Sequence, residues 1–210
     1  MSGALRRGLR RAPAAALLAL LLLGAGWGES WESIRAAASA VRSVRAEFVQ
    51  EKRLPLLSRP LRSEGTFSFR RPGAIRWEYR SPVPSVLLSD GRSVRRFLRQ
   101  GEAWVPEAGA GTEALGVVLD EIARWLSGRF EESDAFVPTL HVGTPTTIEL
   151  RPREEELARF VTRIVVTLGE TPGTVAAIEI FEGESGSTRI RFQGIELDVE
   201  LDDALFTTVP

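Results

Sequence analysis

The sequence contains no cysteine, and among its 210 residues there is only one histidine, one tyrosine and one lysine. Without cysteine the domain has no disulfide to stabilise it, so its fold must depend on the hydrophobic core. The same absence excludes a lipid anchor attached through cysteine, the modification that tethers bacterial lipoproteins to membranes. The chain is long enough for one domain of ordinary size with a substantial core.

The residues that usually carry catalysis or bind metals are few and scattered. His141, the only histidine, has no serine or cysteine motif nearby, so neither a catalytic triad nor a nitrogen and sulfur metal site is indicated. Lys52, the only lysine, stands between Glu51 and Arg53, which favours an exposed strand position over a Schiff base. The acidic run at residues 154–156 is typical of solvated surface. The sequence therefore predicts a protein that is not an enzyme, with no catalytic residues, no metal and no cofactor.

The first 28 residues have the composition of a secretory signal peptide. Four arginines precede an unbroken run of alanine and leucine over residues 14–23, which is too short to span a bilayer comfortably. Small residues follow, so we expect cleavage near residues 26–28, a mature domain over residues 29–210 and a periplasmic location; an uncleaved N-terminal anchor is the alternative. Removing the four arginines leaves 23 basic and 28 acidic residues, a net charge of −5. This acidic balance argues against nucleic-acid binding, for which a basic patch is expected.

Residues 61–91 are the most informative stretch, because they predict three consecutive strands with one aromatic face. Phe67 and Phe69 alternate with polar residues in the first strand, and Ile75, Trp77 and Tyr79 alternate with charged residues in the second. A sheet of this kind has one wet side and one apolar side, and the apolar side needs a cover of helices, a second sheet or a ligand. A packed core and a binding cavity share this pattern, and the alternation alone does not distinguish them.

Two apolar stripes at helical spacing are candidate covers. The first stripe follows an expected cap at Ser30 and predicts a helix of about four turns; its apolar residues are Trp31, Ile34, Val41, Val44 and Phe48. The second predicts a helix with Thr112 as its N-cap and Gly128 as the residue just beyond its C-terminus. The apolar residues of this second stripe are Leu115, Val118, Leu119, Ile122, Trp125 and Leu126.

The rest of the chain predicts further strands joined by short turns, which is typical of an antiparallel sheet. Residues 188–192 and 195–201 are predicted as separate strands, and His141 as part of a loop. We therefore predict a single domain, mainly β with some α, in which about ten or eleven antiparallel strands are covered by two or three helices.

Several short segments follow one another in an order and at a spacing that are specific as a set. They are SVRAEFVQ at 43–50, GTF at 65–67, RPGAIRW at 71–77, Pro82, LSDG at 88–91, Leu205 with Phe206, and the final Pro210. Over nearly the whole mature chain, this set resembles the LolA family of periplasmic carriers of outer-membrane lipoproteins.

The resemblance implies an incomplete, strongly curved antiparallel β-barrel with its helices as a lid over a hydrophobic cavity. It implies that a monomeric carrier encloses the acyl chains of a lipoprotein, receives them from an inner-membrane ABC transporter of the Lol type and passes them to an outer-membrane acceptor. That acceptor has the same fold but is itself a lipoprotein, so the missing cysteine favours the soluble carrier. The family's arginine that locks the lid to the sheet corresponds to Arg71.

Together with the alternation, the resemblance selects a set of residues expected to bind lipid. They are Phe67, Phe69, Ile75, Trp77, Tyr79, Leu88, Leu115, Leu119, Ile122, Trp125, Ile164 and Val166. Two alternatives stay open. The segment at residues 53–61 is similar to LolA-like proteins of other envelope-lipid pathways, which implies another lipid or glycolipid as cargo. The second alternative is a non-catalytic envelope scaffold that binds proteins on its sheet edge or apolar face.

Overall fold

The computed structural model describes residues 27–107, 121–183 and 185–209, so most of the predicted signal peptide lies outside the described residues. Its helices are α1 (Trp31–Ala40), α2, described over residues 121–126, and α3 (Glu155–Ala158), with 3-10 turns at Phe130–Glu132 and Asp203–Phe206. Its strands are β1 (Ser43–Arg53), β2 (Leu61–Arg70), β3 (Ala74–Ser81), β4 (Ser85–Asp90), β5 (Val94–Gln100), β6 (Ala103–Glu107), β7 (Phe136–His141), β8 (Thr147–Pro152), β9 (Arg163–Leu168), β10 (Val175–Glu182) and β11 (Gly186–Leu197). None of the helices in the described part of the chain is long and apolar enough to cross a membrane.

All eleven strands belong to one antiparallel sheet, in the order β6-β5-β4-β3-β2-β1-β11-β10-β9-β8-β7. The first strand pairs with the last at the centre of the sheet, and consecutive hairpins extend from this pair on both sides. Among the described residues β6 and β7 are edges that do not pair with each other, so the barrel is incomplete. The predicted fold, a mainly β, curved antiparallel barrel of about ten or eleven strands with helices on one side, is confirmed.

Three local predictions are wrong. Helix α1 ends at Ala40 and is shorter than four turns, because Val44 and Phe48 belong to β1. The prediction was too long because apolar residues four apart fit both a helix and the alternation of a strand. Residues 186–197 form one strand, since β11 lies between β10 and β1 and pairs with both. His141 ends β7, whose alternation was too weak to recognise from the sequence.

One face of the sheet, the lid face, carries the main hydrophobic core. Side chains that are directly opposite in the ladder point to the same side, and the pairs Phe67–Trp77, Phe48–Phe192 and Ile148–Val166 all lie on this face. Helices α1 and α2 cover it, and Ile34, Ile122 and Trp125 belong to the same buried cluster. The core is therefore continuous from β3 across the central pair to β8.

The other face is also covered in part, which corrects the expectation of a fully wet charged side. Arg76 is only 6% exposed, because the C-terminal segment crosses over it. Its Nη1 donates hydrogen bonds to the carbonyl oxygens of Leu205 and Thr208, both at 2.9 Å. Ala74, Leu201 and Phe206 form a small second core there. A buried arginine on this face is tolerated because backbone carbonyls and the Glu78 carboxylate satisfy its donors.

Two glycines allow α1 to approach its neighbours. A side chain at Gly128, which has φ +70° and follows α2, would lie 2.7 Å from the Cα of Arg35. A side chain at Gly173 in the β9–β10 turn would lie 2.7 Å from Val41 Cγ2. Gly128 also ends α2 as predicted, because the amides of Gly128 and Arg129 donate to Trp125 and Arg124 in a Schellman motif. The end of α2, α1 and the β9–β10 turn therefore pack as one unit.

Gly65 on β2 is the position where the sheet tolerates least additional volume. A Cβ there would lie 1.8 Å from the carbonyl oxygen of Glu78 and 2.9 Å from Phe48 Cζ. We expect Gly65→Ala to lower the free energy of unfolding by about 1–3 kcal/mol, as overpacking does, in urea titrations followed by circular dichroism. Gly143→Ala is the control, because its nearest contact would be an acceptable 3.4 Å and its effect should stay within about 0.5 kcal/mol. Equal unfolding midpoints for the two variants would contradict this account.

Candidate functional site

An aromatic cluster occupies the lid face beside the central strands. Ring centroids lie 5.1 Å apart for Phe67 and Trp77, 5.3 Å for Phe48 and Trp77, and 5.8 Å for Phe67 and Phe192. These tilted and edge-to-face contacts are favourable beyond the burial of area alone. Strands β8 to β11 continue the surface with aliphatic side chains, namely Ile148, Leu150, Ile164, Val166, Ile178 and Ile190. The lid face is thus one apolar surface built by many strands.

Most of the predicted lipid-binding residues lie on this face or against it. Strands place Phe67, Phe69, Ile75, Trp77, Tyr79, Ile164 and Val166 there, and Ile122 and Trp125 pack onto it from α2. Leu88 is placed differently: it is directly opposite Arg76 in the ladder and therefore lies on the other face, so the expectation that it faces the lid is wrong. Leu115 and Leu119 lie outside the described residues.

The space between α2 and the lid face is nearly filled. Two apolar cavities of about 20 Å³ each lie there, and each has room for little more than one water molecule. The second is lined by Trp77, Ile122, Trp125, Val166 and Ile178, with Phe67, Leu126, Val175 and Phe192. The described part of α2 therefore packs directly against the lid face, and these two cavities are too small for an acyl chain unless side chains of α2 move away.

Two indole N–H groups weaken this closed packing. Trp77 Nε1 and Trp125 Nε1 are buried without a hydrogen-bond partner of acceptable geometry in the described part of the chain. A buried unpaired donor costs about 1–3 kcal/mol, and water relieves that cost once the site opens. The packing that seals the lid face is therefore less favourable than a fully satisfied core would be.

Polar pairs lie at one end of the lid face, which we call the rim end; the connections β1–β2, β3–β4 and β10–β11 all lie there. The Tyr79 hydroxyl donates to Gln50 Oε1 at 2.8 Å, and Lys52 Nζ lies 2.8 Å from Glu182 Oε2. Burial raises the pKa of Tyr79, against opposing effects of the Trp77 indole and Arg96, so its hydroxyl stays protonated as a donor.

Sequence reasoning missed this rim, although its signal was present. Lys52 was predicted as an exposed strand position, whereas it is partly buried and paired with Glu182. It follows Phe48 and Gln50 at a spacing of two residues, so the period of the strand places all three on the lid face. Its charged neighbours Glu51 and Arg53 belong to the opposite face, and their charges led to the wrong prediction that Lys52 is exposed.

Arg71 lies at the opposite, or anchor, end of the lid face, in the β2–β3 turn. Its Nε donates to the Val41 carbonyl at 2.7 Å and its Nη2 donates to the Ala38 carbonyl at 2.8 Å. These are carbonyls at the C-terminus of α1, where helices leave acceptors unsatisfied and favour a cation. The last turn of α1 has no basic residue of its own, and Arg71 supplies a cation there from the β2–β3 turn.

The contacts of α1 extend the anchor to α2. Arg35 of α1 lies 3.1 Å from Glu131, just beyond α2, and the backbone of α1 passes close to Gly128. The aromatic pairs Trp31–Phe130 and Trp125–Phe130 continue the contact, with ring centroids 6.2 and 6.3 Å apart. Helix α1 therefore contacts both Arg71 and the residues at the end of α2.

The described residues contain no cluster that could hold a metal ion. No group of three His, Cys, Asp or Glu side chains comes together in residues 27–107, 121–183 and 185–209 as a metal site requires. The lid face is suited to binding an apolar ligand, with polar contacts confined to its rim.

Comparison with known proteins identifies the class to which this arrangement belongs. The fold and the helix-covered apolar face agree with a family of carrier proteins, whose profile, described as "Outer membrane lipoprotein carrier protein LolA", matches residues 39–209. The chain belongs to the LolA family.

Individual relatives are similar to the chain over most of its length. It is 28% identical over 191 residues to the outer-membrane lipoprotein carrier protein of Methylibium petroleiphilum, covering 90% of each chain. It is 26% identical over 171 residues to the protein of the same name in Dechloromonas aromatica, covering 80% of this chain and 78% of that one. Among solved structures, a LolA superfamily protein from Nitrosomonas europaea matches with a TM-score of 0.42 and 10% identity, covering 85% of this chain and 98% of that one. That distant likeness adds no argument to the fold described above.

The contacts of Arg71 predict how the anchor end responds when they are lost. We expect Arg71→Leu to speed amide hydrogen exchange in α1 about tenfold or more, because a hydrogen bond to a charged group contributes about 1.5–3 kcal/mol. Mass spectrometry of exchange into deuterated buffer measures this effect. Arg42→Leu is the matched control, since Arg42 has an 81% exposed side chain and only a 3.9 Å contact with Asp198. The same exchange rate in both variants would mean that Arg71 does not hold α1.

Proposed function

We propose that the protein is a soluble periplasmic carrier that encloses the acyl chains of lipoproteins and shuttles them from the inner to the outer membrane. The observation that carries the proposal is the continuous apolar lid face, which extends from β3 to β8 and is covered by helices α1 and α2. Relatives named outer-membrane lipoprotein carrier proteins support it. In this role the chain is exported, cleaved near residues 26–28, monomeric and non-catalytic. It receives cargo from a Lol-type ABC transporter and passes it to an outer-membrane acceptor.

The energetics of lipid transfer explain why such a carrier needs an enclosed apolar site. Burying one methylene contributes about 0.8 kcal/mol, so a chain of about sixteen carbons gains more than roughly 10 kcal/mol on leaving water. Free diffusion of such an anchor through an aqueous compartment is negligible. The carrier must therefore enclose the chains during transit and expose them again on delivery.

Competition between lid and cargo accounts for both steps. Ile122 and Trp125 occupy the surface that acyl chains would occupy, and the cavities left beneath them are about 20 Å³ each. Cargo therefore binds a state in which α2 has moved from the lid face, and closure of α2 favours release. Hydrogen bonds from Arg71 to α1 stabilise the closed state, since α1 packs against the end of α2.

If the protein encloses an acyl chain, we expect α2 to move away from the lid face when the chain binds. A fluorescent fatty acid should bind the purified protein, and saturation should raise amide exchange in residues 121–126 while the central strand β1 stays protected. Binding on the protein surface would leave the exchange of α2 unchanged, and that result would contradict enclosure. Mass spectrometry of lipid extracted from protein purified from cells then identifies the cargo class, lipoprotein or another envelope lipid.

Weakening the anchor should separate uptake from delivery. Because closure competes with cargo, loss of roughly 1–3 kcal/mol of closed-state stability in Arg71→Leu should increase retention of a lipidated cargo and decrease its transfer to acceptor membranes. The two quantities are measured with a radiolabelled lipoprotein, first bound to the carrier and then offered to outer-membrane vesicles. Arg42→Leu serves again as the control. Normal transfer together with unchanged retention would mean that Arg71 does not control closure of the lid.

A further inference from the structure

Large apolar side chains that are exposed to solvent concentrate at the rim end. Five of the eight exposed large apolar residues of the described chain lie in its connections or at the start of a strand there: Leu56, Leu57, Leu61, Val83 and Phe160. Scattered exposed apolar residues are ordinary on a protein surface, but their grouping at one end of a sheet indicates an interaction site.

The β1–β2 connection is the most prominent part of this group. Leu56 is 96% exposed, and Leu57 and Leu61 are 45% and 50% exposed. The amide of Leu57 donates to the carbonyl of Leu54 at 3.0 Å, which closes a tight turn with Pro55 at its second position. The turn therefore holds Leu56 at a protruding tip, and little conformational entropy is lost when this tip binds a partner.

Arginines flank the leucines of this tip. Arg53 and Arg59 are both exposed, and neither takes part in an ion pair within the described part of the chain. Among the described carboxylates at the same end, Glu182 is paired with Lys52 and Glu51 with Arg191, while Glu102 and the glutamates at 154–156 lie in other connections of the sheet. Apolar residues next to unpaired arginines favour a surface that combines negative charge with accessible hydrocarbon, as an anionic bilayer does.

The tip is also continuous with the candidate lipid site. Leu61 is directly opposite Lys52, so it lies on the lid face between the exposed tip and the buried Phe67. An acyl chain that leaves a bilayer at the tip would therefore meet apolar contacts on its way to the interior.

We infer that the β1–β2 tip, residues 54–60, docks on the surface of an anionic lipid bilayer and presents the rim end of the lid face to it. The inference rests on the proposed function and adds a direct membrane contact to it. A docking site for a partner protein is the competing interpretation, and it predicts no affinity for protein-free vesicles.

The absence of cysteine permits a site-specific test on the full chain as the cell processes it. Leu56→Cys introduces a unique thiol for an environment-sensitive fluorophore, and Val142→Cys places the same probe on an exposed residue in the β7–β8 turn at the anchor end. Vesicles of phosphatidylethanolamine and phosphatidylglycerol, in a ratio of about three to one, should shift the emission of the Leu56 probe to the blue. The Val142 probe should keep its emission.

Matched substitutions test the energetics without a label. Leu56→Ser with Leu57→Ser should lower vesicle binding in flotation about tenfold or more, because two exposed leucines lose their transfer into lipid. Arg53→Gln with Arg59→Gln should abolish the preference for anionic over phosphatidylcholine vesicles, whereas Val142→Ser should bind as the unmodified protein does. Binding of a fluorescent fatty acid is measured in parallel and should be equal in all variants.

The outcomes separate this inference from the proposed function. Fatty-acid binding without vesicle binding overturns membrane docking and leaves the carrier role in place. Vesicle binding that is unaffected by the leucine substitutions overturns the assignment to this tip. A blue shift of both probes would indicate non-specific adsorption and would also overturn it.

Discussion

The lid face must be kept from water, and this single constraint governs the rest of the molecule. An apolar surface that spans most of an eleven-stranded sheet cannot stay exposed in a stable soluble protein. Most proteins solve the problem by permanent packing with a second layer. Here α2 provides the cover, and its position depends on α1, two close glycine contacts and the hydrogen bonds of one arginine. The described part of this cover nearly fills the interior, and in the proposed role the cargo displaces it.

The distribution of polar groups follows from the same constraint. Under the covering helix, the indole N–H groups of Trp77 and Trp125 are buried without a hydrogen-bond partner in the described part of the chain, and so is one carboxylate oxygen of Glu121 on α2. At the rim end, Tyr79–Gln50 and Lys52–Glu182 end the apolar surface with pairs that satisfy one another. At the anchor end, Arg71 binds backbone rather than a carboxylate. Its contacts therefore depend on the presence of an ordered helix end and not on the charge of another side chain.

Local periodicity was enough to predict the lid face, because Phe67, Trp77 and Ile164 lie on strands that alternate clearly. The same reasoning failed where an element is covered from both sides. Leu88 and Arg76 are buried by the C-terminal segment, which is more than 100 residues distant in sequence, and no local pattern reports such a contact. The shortness of α1 was missed because Val44 and Phe48, four residues apart, fit both a helical stripe and the alternation of a strand. The amphipathic stripe of α2 predicted a covering helix, but how tightly it fills the interior depends on packing that a sequence pattern cannot specify.

The pairing of the first strand with the last has a consequence for how fast the chain folds. Val44 meets Leu197 at the centre of the sheet, so the core cannot be completed until almost the whole chain is available. Contacts this distant in sequence are slow to form. Closing the long intervening loop costs conformational entropy before the contacts stabilise the fold. A polypeptide that is exported unfolded through a narrow channel benefits from such a delay. In the proposed exported role, the topology that builds a wide apolar surface would therefore also help to keep the newly made chain unfolded until it has crossed the membrane.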